Sequence, residues 1–432
     1  VGGAAEAYRA GGLALDLDAV ATVRNGQTGV DVYLSLPPQS LIFRQGEGGF
    51  EAAVQWAVAV EGDGARVALD PVDTVRVASA AAAREADPVT RVLRVDVPAG
   101  RYTVEAVAED ARSGRAARRR AVVRVVAPGR APALGGLRLE GRLPSGRTGP
   151  LVARSLPAHL DSTVAVAQAV AVPDGTVAAL AVLRYRADTT AAAPPSAFTP
   201  GPMTLAARGV AGPPRDTVHA ARQSLEGRGP WPRVEASVPP LSPGLYRIGL
   251  RLLAPDAGEA LAEAERVVVV RRWDYPRLTR LGDLVEPLVY LAGPGEVARL
   301  RAAARGPGGR AAFDRFWGEE IDDRRVAAAA LQAYYGRVEE ANRLFATHKD
   351  GWKTDPGMAY VLFGPPAYVD RTPTGETWSY RGGAAPPVLV FEQTAGLPGD
   401  GSPTSALTLV RDRQYHEAWL RARRDWRTGR TR

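Results

Sequence analysis

Four histidines, His159, His219, His348 and His416, are the side chains best suited to hold a metal or shuttle a proton. No two have the i, i+4 spacing that puts a ligand pair on one helix face, so a metal site would need residues from distant parts of the chain. His348 lies two residues from Asp350, the most tempting catalytic pair. A histidine next to a helix C-terminus is more often a capping group. Glu319, Glu320, Asp322 and Asp323 form an acidic cluster. Paired carboxylates can hydrolyse glycosides, but beside helix ends they more simply oppose the helix dipole. There are no cysteines, which excludes disulfides, thiol nucleophiles, thiolate zinc sites, iron–sulfur clusters and a lipid-modified cysteine within this chain. The sequence has no Gly-x-Ser-x-Gly elbow, no phosphate-binding loop with its lysine, no dinucleotide fingerprint and no calcium loop. On this basis no catalytic residue, metal site or cofactor is assigned.

One short stretch stands apart, Gly351-Trp352-Lys353-Thr354-Asp355, followed by Pro356-Gly357. Asp355-Pro356-Gly357 reads as a turn: proline presets φ, glycine accepts positive φ, and the aspartate can accept hydrogen bonds from the backbone ahead. Thr354 could do the same. Trp352 would then be a large anchor holding a helix end against a sheet. The functional alternative is a ligand or interaction groove lined by Trp352, Asp355, Tyr360 and Trp378, with Thr354 beside them.

The elements that would position these residues differ along the chain. Residues 1–128 read as strands of a β-sandwich. Val30, Val32, Leu34 and Leu36 alternate with period two, and so do Phe50, Ala52, Val54, Trp56, Val58 and Val60. Shorter strands are predicted near 67–69, 75–77 and 92–97. Pro98-Ala99-Gly100-Arg101-Tyr102 opens a closing hairpin. Leu241-Ser242-Pro243-Gly244-Leu245-Tyr246 opens another, and the two Gly-x-Tyr elements align as an internal repeat. The glycine suits a turn, and the tyrosine can bury its ring while its hydroxyl finds a backbone partner. A second sandwich module is predicted over 134–272, with long Pro/Gly/Ala-rich loops at 191–202 and 212–214. Both modules look immunoglobulin- or fibronectin-like. A third unit, 278–432, begins with helices. The longest covers 322–346, with Leu331, Tyr334, Tyr335, Val338, Ala341, Leu344 and Phe345 on one side. Short strands at 358–363, 377–380, 388–391 and 406–410 predict an antiparallel meander with turns at Gly364-Pro365-Pro366, 382–383 and 399–401. A final helix is predicted over 413–426, giving an α+β domain.

Several of these residues together resemble the GWxTD-domain family of bacterial proteins. The resemblance rests on Gly351-Trp352-Lys353-Thr354-Asp355, on Phe313-Asp314-Arg315-Phe316-Trp317 and 337–345 upstream, and on 357–366 and Thr377-Trp378-Ser379-Tyr380 downstream. It covers residues 280–395 and implies an exported protein with a β-rich N-terminal half and no defined biochemical role.

Composition fits that picture. The net charge is +8 and nearly all arginine, with Lys349 and Lys353 the only lysines. Arg118–Arg120 is one run; Arg421, Arg423, Arg424, Arg427, Arg430 and Arg432 are read as a basic, solvated tail with weak attraction to anionic surfaces. No apolar run is long enough for a transmembrane helix. The chain begins at Val1 without a methionine, so it is expected to be processed or trimmed, and a removed secretory signal would fit. The expectation is therefore an exported protein, periplasmic, outer-membrane-associated or extracellular. It would act without catalysis as an interaction or assembly component, partnering other envelope proteins or itself rather than a specific nucleic acid. The rival expectation is a ligand-binding or hydrolytic enzyme with its site around Trp352 and Asp355. A third is a basic-tailed adaptor for an anionic polymer.

Overall fold

The computed structural model describes residues 13–24, 26–46, 49–62, 65–79, 81–127, 129, 131–152, 155–157, 162–187, 189–195, 216–225, 232–255, 258–372, 374–382, 385–394 and 406–431. His159, the predicted loop 212–214 and the predicted turn 399–401 lie outside the described residues, as do 196–202 of the first predicted loop and Arg432. The N-terminal part is mostly antiparallel β-structure in several sheets, and an α+β region follows it.

The first β region contains β1 (Asp16–Arg24), β2 (Gln27–Leu36), β3 (Arg44–Gly46), β4 (Gly49–Gly62), β5 (Ala65–Leu69), β6 (Val72–Val77), a single helical turn α1 (Ala82–Glu85), β7 (Val89–Asp96), β8 (Gly100–Asp110) and β9 (Ala116–Val125). β1, β2 and β7 form one sheet; β3, β4, β8 and β9 form another. The long β4 carries β6 along one half and β5 along the other. The period-two alternation puts Val54, Trp56, Val58 and Val60 inward, against Val30, Val32 and Leu34 of the facing sheet, in one core. Trp56 is fully buried and still donates its indole N–H to Asp73 at 2.8 Å.

The second β region contains β10 (Ala133–Leu134), β11 (Arg138–Arg142), β12 (Thr148–Pro150), β13 (Ser155–Pro157), β14 (Thr163–Val170), β15 (Val177–Arg184), β16 (Asp216–Ser224), β17 (Arg233–Val238), β18 (Gly244–Leu253) and β19 (Ala260–Arg271). β14 pairs with β10, β11 and β17, and β11 with β12. The other sheet runs β13-β19-β18-β15-β16, and its β13–β19 pair is parallel. A separate apolar core lies within this region. The two β regions meet where Val20, Tyr33 and Val152 cluster. The contact is reinforced by the Gln168 side chain accepting from Val23 N–H at 3.1 Å and by an Asp18–Arg266 ion pair.

The repeated tyrosines behave alike. The Tyr102 hydroxyl donates to Pro98 O at 3.1 Å and the Tyr246 hydroxyl to Ser242 O at 2.8 Å, and both rings are buried. The glycine two residues earlier is not a turn residue as predicted. Gly100 and Gly244 are each the first residue of a strand, and neither has positive φ. A Cβ on Gly244 would sit 3.2 Å from both the Tyr246 ring and the Arg184 guanidinium, a tight approach to which those side chains would have to yield.

The α+β region contains α2 (Leu281–Val285), a 3-10 turn at Glu286–Tyr290, α3 (Pro294–Ala304), α4 (Gly309–Gly318), α5 (Arg324–Phe345), a 3-10 turn at Gly351–Lys353, α6 (Asp355–Phe363), β20 (Tyr368–Thr372), β21 (Gly375–Ser379), β22 (Val388–Thr394), β23 (Ala406–Leu409) and α7 (Tyr415–Arg427). Asp323 caps α5, accepting from Arg325 N–H at 2.7 Å. The meander forms in the order β20-β21-β22-β23, with Trp378, Leu389, Phe391 and Leu409 turned into the core shared with the helices.

Two predictions fail here. Residues 358–363 are not a strand but the body of α6, and Asp355-Pro356-Gly357 is not a turn but its first residues. Thr354 caps the helix, proline is tolerated in the first turn, and Gly364 ends it at φ 83°. Nearly every residue of α6 is buried, so it has no polar face to show a helical period, and a short, wholly apolar run reads equally as strand.

Tyr102→Phe and Tyr246→Phe should each lower stability by about 1 kcal/mol, through loss of a buried hydroxyl-to-carbonyl bond. Hydrogen exchange should confine the first loss to residues 27–125 and the second to 163–271. Loosening that spreads equally into both regions would contradict two separate cores.

Candidate functional site

The motif is built on two backbone contacts that only glycine permits. A Cβ on Gly351 would lie 1.9 Å from Ala341 O, and one on Gly357 would lie 1.8 Å from Gly351 O. The 3-10 turn therefore rests directly on the last turns of α5, and α6 rests directly on the 3-10 turn. Trp352 is locked between them. Its N–H donates to Asn342 Oδ1 at 3.3 Å, its carbonyl accepts from the Tyr290 hydroxyl at 2.8 Å, and its ring meets Tyr290 edge-on at 5.8 Å. Thr354 Oγ1 donates back to Gly351 O at 2.7 Å and accepts from Gly357 N–H at 3.1 Å.

Asp355 faces the other way, toward the end of the meander. Its carboxylate accepts two bonds from Arg411, at 2.6 and 3.0 Å, and a third from Leu409 N–H at 2.8 Å. The Arg411 side chain is only 1% exposed. It also donates to Ala193 O at 3.1 Å and Pro194 O at 3.2 Å. Those carbonyls belong to a strap that leaves the second β region after β15. The strap is held further by Ala192 N–H donating to Lys353 O at 2.9 Å and by Lys349 Nζ donating to Thr190 O at 3.2 Å. Ala191 and Ala192 pack on the core of the α+β region. Most of these contacts go to backbone atoms, so the seat reads an extended chain with small side chains.

A second attachment lies one strand away. Arg271, the last residue of β19, is buried. It donates to Asp350 at 2.9 Å, Thr347 O at 2.7 Å and Lys349 O at 2.9 Å, and it stacks on Tyr275 at 4.4 Å. The Tyr275 hydroxyl donates to Asn342 O at 2.7 Å, and Asn342 Nδ2 donates to Pro276 O at 3.2 Å.

The five predicted site residues thus separate into two groups. Trp352, Thr354 and Asp355 belong to the junction. Tyr360 and Trp378 lie in an aromatic cluster about Phe345, whose ring is 5.6 Å from each. The Tyr360 hydroxyl donates to Glu340 at 2.9 Å and the Trp378 indole to Glu376 at 2.9 Å. All five are buried, and the side-chain polar groups of Thr354, Asp355, Tyr360 and Trp378 each have a protein partner. Asp350 is engaged by Arg271 and by Lys353 at 3.0 Å, and His348 is buried beside it. His219 lies on β16, and the His416 ring sits tilted against Trp419, with centroids 5.7 Å apart. Among the described residues no three of His, Cys, Asp and Glu are grouped to hold a metal ion.

Four arginines of the basic C-terminal cluster, Arg421, Arg423, Arg424 and Arg427, lie not in a solvated tail but on helix α7, which docks through the fully buried Trp426. Arg423 donates twice to Leu291 O, at 3.1 and 2.9 Å. Arg427 meets Glu296, Glu319 and Glu320 at 3.2, 3.4 and 3.0 Å. Half of the acidic cluster is therefore the counter-charge for this helix. Sequence reasoning missed Arg411, Arg271 and the 190–194 strap. Opposite charge within apolar surroundings was the only available signal, and an arginine-rich sequence offers too many candidates for it.

Burial also raises the tyrosines of this region. Desolvation pushes the hydroxyls of Tyr275, Tyr290, Tyr334, Tyr335, Tyr360 and Tyr380 above their ordinary value near 10, and nearby Asp355 adds to the effect at Tyr290, as Glu340 does at Tyr360. Because the folded values are raised, their contribution is complete below pH about 10 and is lost as pH rises further. Alkaline unfolding followed by hydrogen exchange should therefore begin in residues 275–427.

Asp355→Ala should cost about 3–5 kcal/mol, because it strands a buried guanidinium. The double variant Asp355→Leu/Arg411→Met should recover much of that loss. Since Lys349 and Lys353 are the only lysines, amine-reactive labelling resolved by mass spectrometry should show Lys349 reacting several-fold faster in Asp355→Ala. An unchanged rate would mean that the strap does not depend on the ion pair.

Residues 254–428 match the GWxTD domain family, a wider span than the motif-bearing 280–395 and one that takes in β19, Arg271 and α7. No curated protein matches the chain. Among solved structures, a red sea bream transglutaminase matches with 13% identity over 60% of this chain, at a TM-score of 0.18; the match spans 31% of the transglutaminase. The CupB6 tip adhesin of Pseudomonas aeruginosa matches with 12% identity over 60% of this chain and 99% of its own, at a TM-score of 0.12. Similarities at these values carry no argument about fold or function.

Proposed function

With residues 254–428 a GWxTD domain, we propose that this chain is a non-enzymatic interaction or assembly component of the cell envelope or surface. In this reading the two β regions are immunoglobulin- or fibronectin-like modules that the GWxTD domain carries in a fixed orientation. The observation that carries it is how the motif's polar groups are engaged. Asp355, Thr354 and the Trp352 backbone all bind protein atoms, and Asp355 with Arg411 grips a strap from the second β region. A buried, bidentate pair with its remaining donors on carbonyls suits a rigid joint; a general acid or base would need an accessible carboxylate. The competing reading, a ligand or hydrolytic site around Trp352 and Asp355, would require this ion pair to open, and removal of either partner from a buried pair is costly.

Export and partnership are part of the same proposal. Paired β modules present broad sheet faces and loop ends, which serve adhesion and assembly in many unrelated proteins, so the fold supports the class of role and not the partner. The test is isolation of the tagged, full-length protein from its native envelope fraction at low and high salt, with mass-spectrometric identification. A stoichiometric set of envelope proteins that survives high salt, or self-assembly, is the expected result. Recovery of the protein from the cytosol as a monomer with nothing bound would overturn the proposal.

A further inference from the structure

Two exposed surfaces on the GWxTD domain have complementary chemistry. The first is Trp273, whose side chain is 71% exposed although its neighbours are tightly fixed. Arg271 is anchored as described. Arg272 pairs with Asp274 and, at 2.7 Å, with Asp283; Asp274 also accepts from Thr279 at 2.5 Å. A large indole on so rigid a base is presented to solvent at little entropic cost, the character of an interface anchor. Arg277 and Arg280, four and seven residues on, are exposed, and among the described residues neither guanidinium has an ion-pair or hydrogen-bond partner.

The second surface is the outer face of the meander. Among the described residues eleven large apolar side chains are exposed, and four of them, Tyr368, Val388, Val390 and Val410, lie together on this face. Strand register places them side by side. Tyr368, Ser379 and Val388 form one cross-strand row; Asp370, Thr377 and Val390 form the next, with Val410 N–H bonded to Val390 O at 2.8 Å. Exposure alternates over Val388–Glu392 of β22, so Val388 and Val390 share a face two residues apart. Asp370 and Glu392 border the patch, exposed and without ion-pair partners among the described residues.

We infer that these two surfaces bind each other between copies of the chain, Trp273 of one copy seating on Val388, Val390 and Val410 of the next, with Arg277 and Arg280 facing Asp370 and Glu392. The occupant is a second copy because one surface supplies both what the other lacks: an unpaired cation pair with an aromatic anchor against an unpaired anion pair with an apolar floor. A two-fold contact of either patch with itself would instead oppose like charges. In the inferred contact one copy's Trp273 surface meets the next copy's meander, a head-to-tail arrangement that generates a ring or a filament. The inference deepens the assembly role proposed above and rests on it.

Sedimentation of the full-length protein from about 1 µM to about 500 µM should show mass rising with concentration, as a small interface predicts. Trp273→Ser and Val388→Thr/Val390→Thr change only exposed side chains, and each variant alone should remain monomeric. Mixed together, they retain one intact surface apiece and should form a 1:1 heterodimer that grows no further. Arg277→Glu/Arg280→Glu should abolish association, and adding Asp370→Lys/Glu392→Lys in the same chain should restore it. Wild-type protein that stays monomeric throughout, variants that still assemble alone, or a mixture that fails to pair would each overturn the head-to-tail contact. A foreign partner recovered from the envelope would still leave the assembly role standing.

Discussion

The Asp355–Arg411 pair is the constraint on which the arrangement of this molecule depends. Removing a carboxylate and a guanidinium from water costs several kcal/mol per ion, and their attraction offsets this only when geometry is good and the remaining donors are satisfied. Both conditions are met. The guanidinium donates twice to the carboxylate and once each to Ala193 O and Pro194 O, and the carboxylate also accepts from Leu409 N–H. Satisfying one ion pair thus brings together the start of α6, the end of β23 and a strap from the second β region. A hydrophobic contact could supply similar stability, but it is non-directional and would tolerate sliding. The ion pair fixes a register.

Around it, polar side chains in the interior act as fasteners between backbones. Asn342 accepts from Trp352 N–H and donates to Pro276 O, so one buried amide ties α5 to both the motif turn and the segment after β19. The hydroxyls of Tyr275, Tyr290, Tyr334 and Tyr335 each donate to a main-chain carbonyl, at 2.6–2.8 Å. Residues 281–290 form only a short helix and a 3-10 turn, and the Leu284 and Pro287 carbonyls within them take the Tyr335 and Tyr334 hydroxyls, while Asn342 O and Trp352 O take those of Tyr275 and Tyr290. The aromatic rings supply apolar area, and the hydroxyls supply the missing bonds.

Charge is distributed with the same logic. Arg271, Arg411, Arg423 and Arg427 reach into the interior or the helix junctions, where a planar guanidinium can make several directed bonds at once. The two lysines sit at the motif, Lys353 over the Trp352 ring at 5.3 Å and Lys349 on the strap. The four arginines serve as internal fasteners, whereas others, such as Arg44, Arg76 and Arg310, stay largely exposed on other parts of the surface.

The alternation of Val30 to Leu36 and Phe50 to Val60, the three-and-four spacing of Leu331 to Phe345, and the turn residues of the meander determined the order of β and α+β regions by local pattern alone. The Gly-x-Tyr repeat likewise foretold two buried tyrosines with backbone partners, because such a bond spans only four residues. Local pattern failed at α6, where complete burial removes the polar face that marks a helix, and at Gly351 and Gly357, whose need for close backbone contact is invisible until the neighbouring helix is in place. Tertiary structure alone decided that Asp355 pairs with Arg411 rather than another arginine, that residues 190–194 form a strap, and that the basic C-terminus docks on Glu296, Glu319 and Glu320. Each of these joins residues far apart in sequence, and a charge or a carbonyl carries no local sign of the partner that will meet it.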